Sequence, residues 1–360
     1  MNQNTKQIIN LTKKLIRFES THDNFRTRKK IIEFVYQEFA ECDVYVREII
    51  YKNVPSLIIT LQKTKNPKLF LNGHLDVVPA EKNDFCPGII GHKLCGRGSG
   101  DMKTACAVMI EIMKYFSKVK EKPNIGLILT TDEEVGGENG IGYLLKKAGY
   151  SSNCAIIPDG GTGLDTVVMA EKGIMHIRVW ARGISAHGSR PFLGDNAVEK
   201  LMKIYFQIKK EIPDIKKNQW KNSLNIGKIS GGGAINKVPD YAEMFLDIRL
   251  ANEKERKIVL QKIKKITDNF EVLVNGFYFE QDMKNKYIQD YKKTAEKEMG
   301  KKIKFIRETG ASDARFFCEK NIPVILTKID SGNIHGQDEW VDISQIEKFY
   351  NILKKFIISL

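Results

Sequence analysis

Short apolar runs separated by segments of helical spacing constrain this chain more than any other feature. Residues 56–61 (SLIITL), 68–71 (KLFL), 125–130 (IGLILT) and 155–157 (AII) read as strands. Two of the gaps between them, about 102–119 and 139–148, read as helices. So do 5–18 and 26–41, where Ile31, Ile32, Val35 and Phe39 fall on one helical face. Apolar strands alternating with helices predict a largely parallel sheet covered on both faces, an α/β class fold.

The middle of the chain has another rhythm. Residues 173–182 (GIMHIRVWAR) alternate as a half-exposed strand, 196–212 read as a helix, and 223–229 and 242–250 as strands. A helix at 253–268 and a strand at 271–279 follow. That order, β-α-β-β-α-β, is the split sandwich of ferredoxin-like domains. From about 286 the α/β style returns, with a helix, the strand 324–326 (VIL) and a closing helix. A capping box, Ser344-Gln345-Ile346-Glu347, is expected to open that helix. The expected domains are 1–172 with 286–360, interrupted by an insert at 173–285.

Composition narrows the function. The chain has 360 residues, 42% of them hydrophobic and 28% charged, enough apolar content for packed cores. No run reaches the roughly 18 apolar residues of a membrane helix, and the N-terminus lacks the apolar block of a signal peptide. A cytoplasmic protein with no membrane partner is expected. The six cysteines are widely spaced with no CxxC pair, against both a disulfide framework and a sulfur-ligated metal site. The net charge is +14, but the lysines are dispersed along helices and no nucleic-acid motif accompanies them. The charge therefore reads as a basic surface favouring anionic ligands, with no nucleic-acid partner.

Acids and histidines fall where strands end. His74 and Asp76 close LFLNGHLD, Asp101 sits in GRGSGDMK ahead of a helix, and Glu133 and Glu134 end GLILTTDEE. Asp159 ends AIIPD, and His335 follows VILTKID. Singly, each has an ordinary reading as a loop histidine, a turn or a helix cap. Together they converge, because strand carboxyl ends of an open α/β sheet meet at one crevice. So many carboxylates repel one another unless cations neutralise them. Imidazole and carboxylate donors without cysteine suit one or two catalytic zinc ions, with cobalt or manganese as substitutes.

GHLDVVP (73–79), GRGSGDMK (96–103), TTDEEVGGENG (130–140), PDGG (158–161), SAHGSRP (185–191), GGGAINKVP (231–239), DIRL (247–250) and GASDARF (310–316) occur in order. With them the chain resembles the zinc-dependent family of acetylornithine deacetylase, succinyl-diaminopimelate desuccinylase, aminoacylase, glutamate carboxypeptidase and related dipeptidases. The resemblance implies a zinc-exopeptidase-like three-layer αβα catalytic domain whose inserted ferredoxin-like domain serves as lid and homodimer interface. It implies two zinc ions bridged by Asp101, with His74 and Asp159 completing one and Glu134 and His335 the other. Asp76 would orient His74 from behind. The Asp101–Met102 peptide is expected to be cis.

The same resemblance makes Glu133 the general base on a metal-bridging water. His187 would stabilise the oxyanion, reaching across a dimer, or else is a surface loop histidine. Asn236 and Arg249 are candidates to hold a substrate carboxylate, Arg249 alternatively pairing with Asp247. Backbone donors of Gly310, Ala311 and Ser312 would serve the same carboxylate, and Asp313 is read either as part of that loop or as a helix cap. The implied reaction is amide hydrolysis of a small N-acyl amino acid, or of a short peptide, with a free carboxylate. Three features depart from the family pattern or narrow it: Thr104 after DMK, Asp rather than Glu at position 159, and the VGGENG stretch. The last two lower a desuccinylase reading.

Overall fold

The computed structural model describes residues 1–217 and 219–360. They form two compact units: Met1–Ala170 with Glu280–Glu308 and Ser312–Leu360, and Glu171–Phe279 with Thr309–Ala311.

The first unit is built on a six-stranded sheet in the order Tyr45–Tyr51, Val54–Thr60, Ile125–Thr130, Leu69–His74, Cys154–Ile157, Val324–Leu326. The last four run parallel, with Leu69 opposite both Ile125 and Cys154, and Leu326 opposite Ile157. The first two are antiparallel additions at one edge. The sheet is thus largely parallel, with an antiparallel pair of strands at one edge. Tyr45–Tyr51 escapes the sequence pattern because an edge strand has little need of apolar residues, and its side chains are exposed or half-buried.

The strands are buried on both faces. Leu69, Leu71, Leu127 and Leu129 join a core with Ile8, Leu15, Val108, Ile112, Phe349 and Phe356, from the helices Gln3–Ile16, Thr104–Ser117 and Ile343–Ile358. Their neighbours Phe70, Ile128 and Ala155 are equally buried on the opposite side. Helix starts follow local chemistry: the Asn2 side chain accepts from the Thr5 amide at 2.8 Å. The closing helix is capped differently from expectation. Asp342, not Ser344, is the N-cap, its carboxylate accepting from the Ser344 amide at 2.8 Å. Asp is as good an N-cap as Ser, so the box motif was displaced by its neighbour. Among the described residues no helix is long and apolar enough to cross a membrane.

The second unit is a four-stranded antiparallel sheet in the order Ser223–Gly231, Tyr241–Leu250, Gly173–Arg182, Phe270–Gly276. In chain order its strands stand 2-3-1-4, the split sandwich that the sequence predicts. Alternate residues Met175, Ile177, Val179 and Met244, Leu246, Ile248 face inward. They pack with Leu201 and Ile208 of the helix Ala197–Glu211 and with Val259 and Ile263 of the helix Glu253–Ile266.

Gly73 shows how tightly the first unit packs beneath its sheet end. A Cβ there would stand 2.8 Å from Cys106 Sγ and 2.9 Å from Met109 Cε. Gly73→Ala is expected to destabilise the protein by about 1–3 kcal/mol through overpacking, read as a lower midpoint in urea unfolding.

Candidate metal centre

Parallel register brings the carboxyl ends of Leu69–His74, Ile125–Thr130, Cys154–Ile157 and Val324–Leu326 to one edge of the sheet. His74 is the last residue of its strand, opposite Thr130. Beyond Thr130 the chain turns tightly, and Glu133 and Glu134 leave that turn in different directions. Asp159 lies two residues past Ile157, and His335 is carried on the loop beyond Val324–Leu326.

The Asp101 carboxylate stands between the two histidines. Its Oδ1 is 3.0 Å from His74 Nε2 and its Oδ2 is 3.3 Å from His335 Nε2. Glu134 Oε2 lies 3.1 Å from His335 Nε2, and Asp159 Oδ2 lies 3.9 Å from His74 Nε2. Donor atoms of His74, Asp101 and Glu134 come within 4.8 Å of one another, as do those of His74, Glu133 and Asp159. Glu133 is thus grouped with His74 and Asp159, while Glu134 lies near His74 and reaches His335. The Asp101–Met102 peptide is cis, as the resemblance implied.

Asp76 supports both halves. The His74 Nδ1 is 3.1 Å from the main-chain oxygen of Asp76 and 3.5 Å from its carboxylate. The other carboxylate oxygen accepts from the Glu134 amide at 3.0 Å. The main-chain oxygen is thus the nearer partner of the imidazole, and Asp76 Oδ1 is buried without a hydrogen-bond partner.

Electrostatics shows what the cluster lacks. Burial, then the charge of Asp101, pushes the Asp159 carboxyl well above its usual range. Burial, aggravated by Asp159, Asp313 and Asp101, does the same to Glu133. Hydrogen bonds with Asp101 and Glu134 raise His335 to about 10. At His74 burial opposes protonation, but bonds to Asp101 and Asp76 overcome it. The centre holds more negative charge than its own residues neutralise. Hard oxygen and imidazole donors, with one carboxylate standing between two imidazoles, fit divalent cations.

The structure adds residues that sequence reasoning missed. Glu339 and Arg97 are both buried and pair at 2.7 Å beside Asp101. Lys328, two residues beyond Leu326, lies in the field of Asp101, Asp159, Glu308 and Glu339. Burial lowers its affinity for a proton, but these carboxylates outweigh that and keep it charged. Among the described residues, no hydrogen bond or ion pair within 4.0 Å engages its ammonium. A lysine outside any motif gives no sequence signal of this kind.

Asp313 precedes the helix Ala314–Glu319, but its side chain makes no cap bond; it is buried, 3.5 Å from the Asn72 amide nitrogen. Ser312 is buried in the same unit, its hydroxyl accepting from the Ala314 amide at 3.3 Å. Gly310 and Ala311 belong to the second unit.

In that unit His187 is exposed, with Nδ1 2.8 Å from Ser189 Oγ. Its loop pairs with the loop of Asn236, the Gly188 amide donating to the Asn236 carbonyl at 2.7 Å. Arg249 is engaged at home: its Nε donates to Asp247 Oδ1 at 3.0 Å.

A largely parallel sheet with imidazoles and carboxylates gathered at its strand ends, in a chain that also carries a split sandwich, defines an α/β architecture with a candidate metal centre. The model of peptidase family M20/M25/M40 matches residues 70–359, and the chain belongs to that family. It is a hydrolase of that family. It is 28% identical over 344 residues to a probable succinyl-diaminopimelate desuccinylase of Staphylococcus aureus, covering 82% of this chain and 83% of that one. A tripeptidase from Staphylococcus aureus shares the fold with TM-score 0.81 at 19% identity, covering 98% of this chain and 99% of that chain. A metallo-carboxypeptidase from Sulfolobus solfataricus does so with TM-score 0.79 at 18% identity, covering 99% of each.

Zinc added to metal-free protein at about a hundred times its Kd is expected to raise Tm by about 5 °C or more, by mass action on the folded state. Asp101→Asn, which removes the shared charge, is expected to abolish most of that shift in a thermal melt.

Proposed function

We propose that the chain is a dinuclear zinc amidohydrolase acting on a small N-acyl amino acid or short peptide that carries a free carboxylate. The observation carrying this reading is the division of Asp101, one oxygen toward His74 and the other toward His335. His74 and Asp159 would hold one ion, Glu134 and His335 the other. A pair of divalent ions held there supplies Lewis-acid polarisation of the scissile carbonyl and lowers the pKa of water.

Glu133 then removes a proton from the attacking water as its oxygen bonds to the carbonyl carbon. As the C–N bond breaks, Glu133 passes that proton to the leaving amine. Asp76 keeps His74 in register through its main-chain oxygen and holds the Glu134 amide through its carboxylate. His187 is assigned to the oxyanion and Asn236 to the substrate carboxylate, both as elements of the second unit. That unit is also proposed as a homodimer interface: Ser223–Gly231 is a free sheet edge, and Phe206 and Ile229 are exposed apolar residues. A cytoplasmic location accords with six unpaired cysteines.

A dipeptidase or aminopeptidase is the second reading, favoured by Asp159 in place of Glu and by the fold shared with a tripeptidase. N-acetyl amino acids, N-succinyl-diaminopimelate and dipeptides, tried on zinc-, cobalt- and manganese-loaded protein, separate the two. No turnover of any of them sinks the hydrolase assignment.

Glu133→Gln is expected to lower kcat at least about 100-fold with bound metal unchanged, as loss of a general base does. An unaltered kcat rejects the role. Lys328, free where Arg249 is engaged, is the better placed cation for the carboxylate. Lys328→Met is expected to raise KM about 10-fold or more for carboxylate-bearing substrates, the worth of one charged hydrogen bond, with a small effect on kcat. If Arg249→Met raises KM and Lys328→Met does not, Arg249 is the receptor.

A further inference from the structure

The two candidate ion positions are built from unlike materials. His74 ends a central strand, its side chain only 1% exposed, with both ring nitrogens engaged. His335 rides a loop, its side chain 49% exposed. The loop's backbone is unfavourable: Asn333, His335 and Asp338 all adopt left-handed φ values of 55°, 63° and 54° without being glycine. Left-handed backbone is disfavoured for a residue with a Cβ, so the surroundings must hold the loop in place.

What holds it is the pair Arg97–Glu339. Glu339, 2% exposed, accepts from Arg97 Nη1 at 2.7 Å and the Gly98 amide at 3.1 Å through Oε2. Through Oε1 it accepts from the Gly100 amide at 2.9 Å and the Asp101 amide at 3.0 Å. Arg97 turns its other nitrogen outward to the His335 carbonyl at 3.3 Å and the Gly336 carbonyl at 3.0 Å. The Glu339 carbonyl in turn accepts from the Gly96 amide at 2.9 Å. Gly100 lets the two loops close up, since a Cβ there would stand 2.7 Å from Ile334 Cδ1 and 2.8 Å from Ser331 Cβ. One buried ion pair therefore fixes the amide of Asp101 and the carbonyl of His335 at once. Among the described residues the pair's own hydrogen bonds reach neither His74 nor Asp159, which stand at or just past the ends of sheet strands.

We propose that Arg97–Glu339 is a positioning pair that sets the spacing of Asp101 against His335. On that basis it governs occupancy of the Glu134/His335 ion position and leaves the His74/Asp159 position nearly untouched. This rests on the two-ion reading above.

The test is calorimetric titration of metal-free protein with Zn2+, and with Co2+ to follow coordination by visible absorption. Wild type, Glu339→Gln, Arg97→Lys and, to mark its step, His335→Ala are compared. Wild type is expected to bind in two steps. In Glu339→Gln the step lost in His335→Ala is expected to weaken about 10–100-fold, and the other to stay within about twofold. Arg97→Lys is expected to weaken the same step less, because an ammonium can pair with Glu339 but cannot span both carbonyls. Melting of the metal-free proteins shows that they are folded. If Glu339→Gln does not fold, Arg97→Lys decides. A stoichiometry of one ion per chain in wild type overturns the two-ion reading itself. Two wild-type steps that weaken equally, or not at all, in the folded variants overturn the positioning role.

Discussion

Five carboxylates, Asp76, Asp101, Glu133, Glu134 and Asp159, share one largely buried crevice with two imidazoles. At about 4 Å and an effective dielectric near 20, each like-charged pair costs on the order of 4 kcal/mol. Such a cluster persists only if counter-charge arrives from outside or protons are taken up. The raised proton affinities of Asp159 and Glu133 are the signature of that unmet demand. The rest of the first unit can be understood as scaffolding that keeps these acids from drifting apart. The parallel strands supply three of the anchor points, and the Asp76 carboxylate, accepting from the Glu134 amide, ties the first strand end to the second.

The sheet cannot do all of it. Asp101 precedes a helix, and His335 lies on a long loop, so neither inherits a position from strand register. Their mutual placement depends on side chains that contribute no donor of their own to the centre. A buried guanidinium–carboxylate pair suits the task because its donors and acceptors are numerous and directional. Removing one partner would leave the other charge uncompensated in the interior. Rigidity borrowed from the sheet at the His74 and Asp159 end is thus matched by rigidity built from hydrogen bonds at the His335 end.

Much of this was legible in the sequence. Apolar runs gave the central strands, alternation in GIMHIRVWAR gave the first strand of the second unit residue for residue, and the placement of acids at strand ends gave the cluster. What escaped has physical reasons. Tyr45–Tyr51 is an edge strand with little apolar requirement. The helix cap moved by two residues because Asp342 and Ser344 are near-equivalent caps. Glu339 and Arg97 look like ordinary surface charges in sequence, and only tertiary structure buries them. Arg249, read either as a ligand for carboxylate or as the partner of Asp247, is held by Asp247, two residues away on the same strand face. Adjacent opposite charges on one face satisfy each other before any ligand arrives.

Charge on the larger scale bears on what the centre receives. The chain carries 58 basic against 44 acidic residues, and five of those acids are gathered in the crevice. The remaining surface is therefore more basic than the total suggests. Many of its lysines are already paired, as Lys146 is with Glu319 and Lys262 with Glu211. A dispersed positive field of this kind does not form the continuous track that a polyanion needs, but it favours the approach of small anions. An acidic crevice alone would repel them at the last step. Divalent ions held at the centre would offset that charge, and Lys328, in the field of Asp159, would then add to the attraction instead of being spent on the carboxylates. The outer charge and the inner charge would agree on the proposed anionic ligand only with such cations in place.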